Sequence, residues 1–423
     1  MRTLRLGMSG NDVMEVQSLL RRLGHDPGPL DGVFGPQTQR AVMQLQARFG
    51  LVPDGVIGPQ TGRLVEQFLL GYDTYVVQRG DSFFSIAQKF GTDPDAIAAA
   101  NPRVNPQNIP VGRHLTVPYG FDVVPTDVSY TYQILSRNIQ GLKARYPSLR
   151  VGSIGSSVLG RSLYSLRLGT GPNHVFYNAA HHALEWINSP MLMKFAEDYL
   201  AAYSLGRQIA GYDARALWNA ASIFLVPMVN PDGVDLVING LQENNPYYSR
   251  LIRWNNGSAD FSMDWQSNVR GVDLNHNYDA AWQQSKQAEA ELGITGPGPT
   301  RYSGPYPVSE PETRSMVRFT RSHDFRLVIA YHTQGRVIYW NFMDLAPAEA
   351  GTIGETLSNI SGYRLDQATG IASYAGYKDW FIQDFRRPGY TIETGEGTNP
   401  LPISQFDQIY RENIGMLLYA ATV

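Results

Sequence analysis

The residue types best suited to chemistry in this sequence gather in YNAAHHALEWINSP, residues 177–190, where His181 and His182 precede Glu185 by four and three positions. Imidazole and carboxylate are both zinc donors, and at that spacing either histidine could share an ion with the glutamate. Two further candidates end apolar runs: His332 in AYHTQG and Glu393 in YTIETG. A catalytic zinc typically takes three nitrogen or oxygen ligands and keeps one position for water, and another carboxylate can serve that water as general base. Two histidines and two glutamates supply that set. The chain has no cysteine, so disulfides, thiolate zinc sites and cysteine nucleophiles are excluded together, and any metal must use His, Asp or Glu. Spacing alone leaves open which of His181 and His182 is the ligand, and a satisfied polar loop is the blander reading of both.

These residues can act together only if the fold brings them to one place. HVFYNAA, ASIFLVPMVN, FRLVIAYHTQ and PGYTIETG are short continuous apolar runs ending in polar residues, the signature of strands buried on both faces. Between them SPMLMKFAEDYLAAYSL, PETRSMVRFTRSH and AGTIGETLSNIS carry apolar residues at helical spacing. The alternation predicts an α/β domain with a mixed, largely parallel sheet and helices on both faces. Ligands of such sheets bind beyond the carboxyl ends of the strands, where the candidate residues fall. Asn230 and Asp232 in NPDG read as turn formers, and His25, His114, His174 and His323 as surface or packing residues.

Ahead of this segment the organisation differs. DGVFGPQTQRAV from Asp31 recurs as DGVIGPQTGRLV from Asp54, each a Gly-Pro-punctuated turn leading into a helix. This predicts a small all-α domain over 1–71, and the doubled D-G-x-x-G-x-x-T pattern resembles the bacterial peptidoglycan-binding domain. YVVQRGDSFFSIAQKFGTDPDAIAAANPRVNPQNIPVGRHLTVP then reads as a β-α-α-β unit over 73–120, with Asp81 as a helix cap. Its V-x-x-G-D-S, Asn-Pro and I-P-V-G features resemble the LysM domain, a family that binds N-acetylglucosamine-containing glycans. YGFDVVPTDVSYT forms the linker to the segment 126–423. The net charge of −3 offers no basic footprint for nucleic acid or anionic lipid, and wall binding is expected to resist moderate salt. No apolar run is long enough to insert in a membrane. The start lacks the apolar core of a signal peptide, which leaves wall-associated, cytoplasmic and sporulation-associated locations open.

The segment 126–423 resembles the carboxypeptidase A-like zinc carboxypeptidases. The family's H-x-x-E-W appears as HALEW, which selects His182 with Glu185 and puts His181 outside the ligand set. AYHTQG then offers the third ligand, His332, and YTIET the general base, Glu393. GVDLNHNYD matches the family's G-V-D-x-N-R-N, with Asp273 accepting the N–H of a ligand histidine and Asn275 facing substrate. The chain departs from the pattern at His276, where the family has arginine, and at Leu184, the arginine of H-x-R-E. Arg253 in RLIRWNN is the candidate to polarise the scissile carbonyl. The family's mobile tyrosine, counted back from KDW, falls on Ile371, with Tyr374 as a substitute. Lys378 falls where the family commonly sets side-chain specificity and would suit the extra carboxylate of diaminopimelate, with Glu396 a partner for its amine.

The resemblance implies a zinc peptidase acting on peptidoglycan. Bacterial members with this domain order resemble γ-D-glutamyl-meso-diaminopimelate endopeptidases. A neutral histidine cannot fork onto a terminal carboxylate as arginine does, so His276 favours a leaving group longer than one residue. The alternatives are an ordinary carboxypeptidase releasing C-terminal residues and a non-catalytic wall-binding protein.

Overall fold

A computed structural model describes residues 1–423, which form two compact units. The first comprises 1–129 with 133–149 and 197–205, the second 130–132, 150–196 and 206–423. No helix is long and apolar enough to cross a membrane.

The first unit begins with helices α1 (Asn11–Arg22), α2 (Pro36–Arg48) and α3 (Pro59–Leu70). α2 and α3 each open with proline at the first helical position, where the missing N–H costs no hydrogen bond. The sequence repeat has a hydrogen-bonded reason. In the first copy Gln17, 1% exposed, reaches Asp31 Oδ1 at 3.0 Å and Thr38 Oγ1 at 3.1 Å, and accepts from the Gly32 amide. In the second, Gln46 makes the same contacts with Asp54, Thr61 and Gly55. Gly32 and Gly55 both have φ 70°, a left-handed conformation that glycine adopts without steric cost. The unit continues as β1 (Tyr72–Val76), α4 (Phe83–Phe90), α5 (Pro94–Ala100) and β2 (His114–Pro118), with β1 and β2 antiparallel. Ser82, not Asp81, caps α4 in a reciprocal bond with Ser85; Asp81 instead accepts from the Gln78 amide and the Tyr75 hydroxyl. Most of α6 (Tyr132–Arg145) also falls in this unit, although its sequence lies in the segment that resembles the peptidase.

The second unit is built on an eight-stranded sheet. Its strands are β3 (Arg150–Ser156), β4 (Ser162–Gly169), β5 (Asn173–Ala179), β8 (Ala221–Val226), β9 (Leu327–Thr333), β10 (Val337–Tyr339), β11 (Arg364–Asp366) and β12 (Gly389–Thr394). A small separate ladder joins β6 (Gln208–Ile209) to β7 (Tyr212–Asp213). The order is β11-β10-β12-β9-β5-β8-β4-β3. β12, β9, β5 and β8 are mutually parallel; β10 and β4 enter antiparallel at either side of that block. β8 and β9 are buried at every position, which is why both read as unbroken apolar runs. Helices α7 (Asn188–Leu205), α8 (Ala214–Ala220), α9 (Pro231–Asn239), α10 (Tyr248–Trp254), α11 (Trp282–Glu291), α12 (Pro311–Arg321), α13 (Ala348–Ser361), α14 (Tyr377–Phe385) and α15 (Phe406–Tyr419) complete the chain. Phe176, Phe224, Val328, Phe325 and Trp380 form one buried cluster, each such side chain contributing roughly 1.5–3 kcal/mol. That packing fixes the strand ends on which the polar residues stand.

Candidate active site

β5 ends at Ala179, and Ala180 turns the chain through φ 55°. The two following histidines then diverge. His181 is fully buried, with Nε2 2.9 Å from the Tyr278 hydroxyl. Burial, together with the nearby His332 and His182, lowers its pKa well below the ordinary value. His182 opens a short 3₁₀ turn, Ala183–Glu185, which folds Glu185 back so that its Oε1 lies 2.9 Å from His182 Nδ1. His332 at the end of β9 brings its Nδ1 to 2.8 Å from Glu185 Oε2 and 3.2 Å from His182 Nδ1. The donor atoms of His182, Glu185 and His332 all lie within 4.8 Å of one another. Two imidazole nitrogens facing each other across one carboxylate fit a cation: each has a lone pair to give, and the carboxylate partly offsets the charge. Burial works against protonating His182, but Glu185 and Asp273 outweigh it and raise its pKa.

Asp273 sits behind this group. Its Oδ1 is 3.1 Å from His182 Nε2 and also accepts from the Asn275 amide, while Oδ2 accepts from the Arg301 amide at 2.8 Å. Burial opposes its ionisation, yet the charges of His182 and His276 and these hydrogen bonds hold it well below the usual carboxylate range. A histidine bonded this way through Nε2 keeps Nδ1 free for a metal.

Glu393 comes from β12, whose parallel register with β9 sets it opposite His332. Burial first, then the charge of Glu185, pushes its carboxyl well above the ordinary range, with His182 acting in the opposite sense. The neighbouring Thr394 donates to Asn188 Oδ1 at 2.7 Å, and Asn188 Nδ2 donates to the His332 carbonyl at 2.9 Å. One fully buried asparagine therefore joins the start of α7, the strand of His332 and the strand of Glu393.

The substrate-side expectations fare unevenly. Asn275 Oδ1 accepts from the Tyr377 amide, and His276 is 8% exposed with no hydrogen-bond partner for Nδ1. Tyr374 is half-buried after the turn Gly370–Ser373. Lys378 is neither a surface lysine nor open to solvent. Its Nζ donates to the Asn341 carbonyl at 2.7 Å and pairs with Asp379 at 2.6 Å, with 4% of its side chain exposed. Glu396 is exposed and lies 3.6 Å from Arg336. Arg253 is exposed on the last turn of α10, with no hydrogen bond or ion pair to aim its guanidinium at the histidines.

Three supporting residues escaped sequence reasoning. Asn188 is one; the others are Asn230, read only as a turn former, and Gln266. Asn230 caps α9 by accepting from the Gly233 amide, and its Nδ2 also donates to the carbonyls of His181 and Ser267. Gln266 accepts from Thr300, which lies 3.4 Å from Asp273, and its carbonyl accepts from the Ala183 amide. Asn188 and Asn230 each stand where a strand end meets a helix start, which was the available signal.

Residues 135–415 match the family model described as zinc carboxypeptidase. The chain belongs to the zinc carboxypeptidase family. Residues 9–64 match a peptidoglycan-binding domain and residues 75–118 a LysM domain. Over 290 residues the chain is 46% identical to gamma-D-glutamyl-L-diamino acid endopeptidase 1 of Lysinibacillus sphaericus, covering 69% of this chain and 72% of that protein. It is 35% identical to the uncharacterized protein YqgT of Bacillus subtilis, covering 68% and 76%. Among solved structures, carboxypeptidase A from Helicoverpa armigera aligns with a TM-score of 0.53 at 17% identity, covering 92% of this chain and 87% of that one. Bovine thrombin-activatable fibrinolysis inhibitor aligns at 0.53 and 18%, covering 70% and 97%. These two establish the carboxypeptidase-like fold. The protein is a zinc-dependent metallopeptidase with peptidoglycan-binding and LysM domains.

Proposed function

We propose that this peptidase hydrolyses the γ-D-glutamyl-meso-diaminopimelate bond of peptidoglycan stem peptides. The observation that carries the reading is the 46% identity to a protein named for cleavage between γ-D-glutamate and a diamino acid. The wall-binding domains support the same substrate: tethering a catalytic domain to a polymer raises its effective concentration there without new catalytic contacts. The same domains favour a wall-associated location.

In this reading His182, Glu185 and His332 would hold the zinc. When bound, the metal supplies Lewis acidity and lowers the pKa of an attacking water. Glu393, on the strand beside His332, would take a proton from the attacking water and return it to the leaving amine. Asp273 fixes the orientation of His182 through Nε2. Asn275 and His276 bind the leaving side, where the lack of a forked cation tolerates a leaving group longer than one residue. Tyr374 closes over the substrate. Arg253, exposed and uncommitted on α10, polarises the scissile carbonyl in this reading, whereas the ammonium of Lys378 is already satisfied by Asn341 and Asp379. Glu396, exposed near the end of β12, is held only by the long contact to Arg336 and is the carboxylate placed to meet the diaminopimelate amine.

The test is mass spectrometry of products from defined tri- and tetrapeptide muropeptides. Fragments cut after γ-D-glutamate are expected. Release of single C-terminal residues from ordinary L-peptides, with muropeptides untouched, would instead identify a plain carboxypeptidase.

A further inference from the structure

The two wall-binding modules are not separate beads. Tyr119, just past β2, joins the hydrophobic core of the α1–α3 module, and its ring lies 4.8 Å from Phe68 on α3. Phe68 in turn meets Phe49 at 5.2 Å, and Tyr119 stacks on Phe121 at 5.7 Å and 13°. Four aromatic rings thus run in one row from the end of α2 to the end of the LysM module. They border a groove of about 750 Å³ whose walls come from both modules. The groove is unlike the rest of the chain in charge. Arg22, Arg48 and Lys89 line it against a single carboxylate, Asp73, in a protein whose net charge is −3. Arg22 lies over Phe121 and Arg48 over Phe49, so cations flank both ends of the aromatic row. Arg22 donates to the Asp122 carbonyl and already faces the carboxylates of Asp127 and Glu15, so the cations open to a ligand are Arg48 and Lys89.

We propose that this groove, formed only where the two modules meet, binds a stretch of N-acetylated glycan carrying an acidic stem peptide. Sugar rings present flat C–H faces that pack on aromatic rings, and Phe49, 43% exposed, stands open to receive one. The stem brings free carboxylates, for which Arg48 and Lys89 provide exposed cations. A groove of this volume is within the range of small-ligand sites. The occupant rests on the wall-directed function proposed above, but the groove would bind whether or not the zinc site cuts the expected bond. Its cations also alter one expectation: binding at this site weakens with salt, although the chain as a whole is acidic.

The experiment uses the full chain carrying Glu393→Gln, so that substrate is not consumed. Titration calorimetry compares soluble glycan strands bearing their stems with strands whose stems have been removed by an amidase. Stem-bearing strands are expected to bind more tightly, and the advantage is expected to fall between low and moderate salt. Arg48→Ala with Lys89→Ala should weaken stem-bearing strands about ten-fold, the combined effect of two exposed ion pairs, and weaken stripped strands clearly less, since Arg48 also lies over Phe49. Phe49→Ala should weaken both. Equal affinity for the two ligands, or wild-type affinity in the Arg48/Lys89 variant, would overturn the proposal. Hydrolysis of free stem peptides by the unaltered chain reports separately on the peptidase assignment.

Discussion

Gln17 and Gln46 in the helical repeat, and His181 and His332 in the active site, are all polar side chains closed off from water. They are satisfied differently. Each glutamine uses its amide on both sides, holding a carboxylate, a hydroxyl and a backbone N–H of its own loop. His332 Nε2 and His181 Nδ1 have no partner, and the Nδ1 atoms of His182 and His332 converge on one carboxylate. It is the two converging Nδ1 atoms, sharing the single carboxylate of Glu185, that keep lone pairs a cation can use. The repeat spends its polar residues on shape; the catalytic centre leaves part of their valence for chemistry.

The largest effect is expected from removing a converging nitrogen. His332→Ala should lose both zinc and activity while remaining folded, measured by metal analysis and turnover of the purified protein. Full zinc occupancy in that variant would break the contrast at its centre. Glu393→Gln comes next: zinc retained, turnover down about 10²–10⁴-fold, as for loss of a general base. Near-normal turnover would remove Glu393 from the mechanism. Asn188→Ala tests whether a fully satisfied amide also matters in the site. A loss of about 10–100-fold in turnover or zinc affinity is expected, the range for partners one shell out from a metal. An unchanged enzyme would mean that Asn188 only packs. The smallest effect on catalysis belongs to the repeat. Gln46→Ala should cost about 1–3 kcal/mol in urea unfolding of the first unit, with hydrolysis of small soluble peptides intact. Gln17→Ala should cost a similar amount if the two copies are equivalent.

Much of the catalytic architecture was legible because strand ends carry it. HVFYNAA, FRLVIAYHTQ and PGYTIETG became β5, β9 and β12, and a parallel sheet gathers the residues at their carboxyl ends. The repeat was legible for a different reason: D-G-x-x-G-x-x-T names the residues that each glutamine must reach. Residues off the sheet were harder to read. Arg253 is read from the resemblance of RLIRWNN, and an exposed helix turn gives no cue to where its guanidinium points. Lys378 was chosen by position, and only the fold reveals Asn341 and Asp379 beside it. The cap of α4 falls one residue later than the sequence suggests because Asp81 and Ser82 are both good caps, and Tyr75 draws Asp81 away. Asn188 left no mark beyond its place before a helix, since its partners lie 144 and 206 residues distant.

The pairing of Glu393 with His332 across β12 and β9 also limits how this gene can change. Side chains alternate faces along a strand, so losing or gaining one codon between Gly389 and Glu393 would turn the carboxylate to the opposite face of the sheet and bring a neighbour such as Ile392 into its place. Such a frame-preserving lesion would leave the composition, the zinc ligands and most of the core intact, and the protein would pass as folded. Conservative apolar substitutions can be absorbed at the buried positions beside Glu393; indels cannot. Length variation among descendants of this enzyme should therefore accumulate in its surface loops and stop at the two ends of β12.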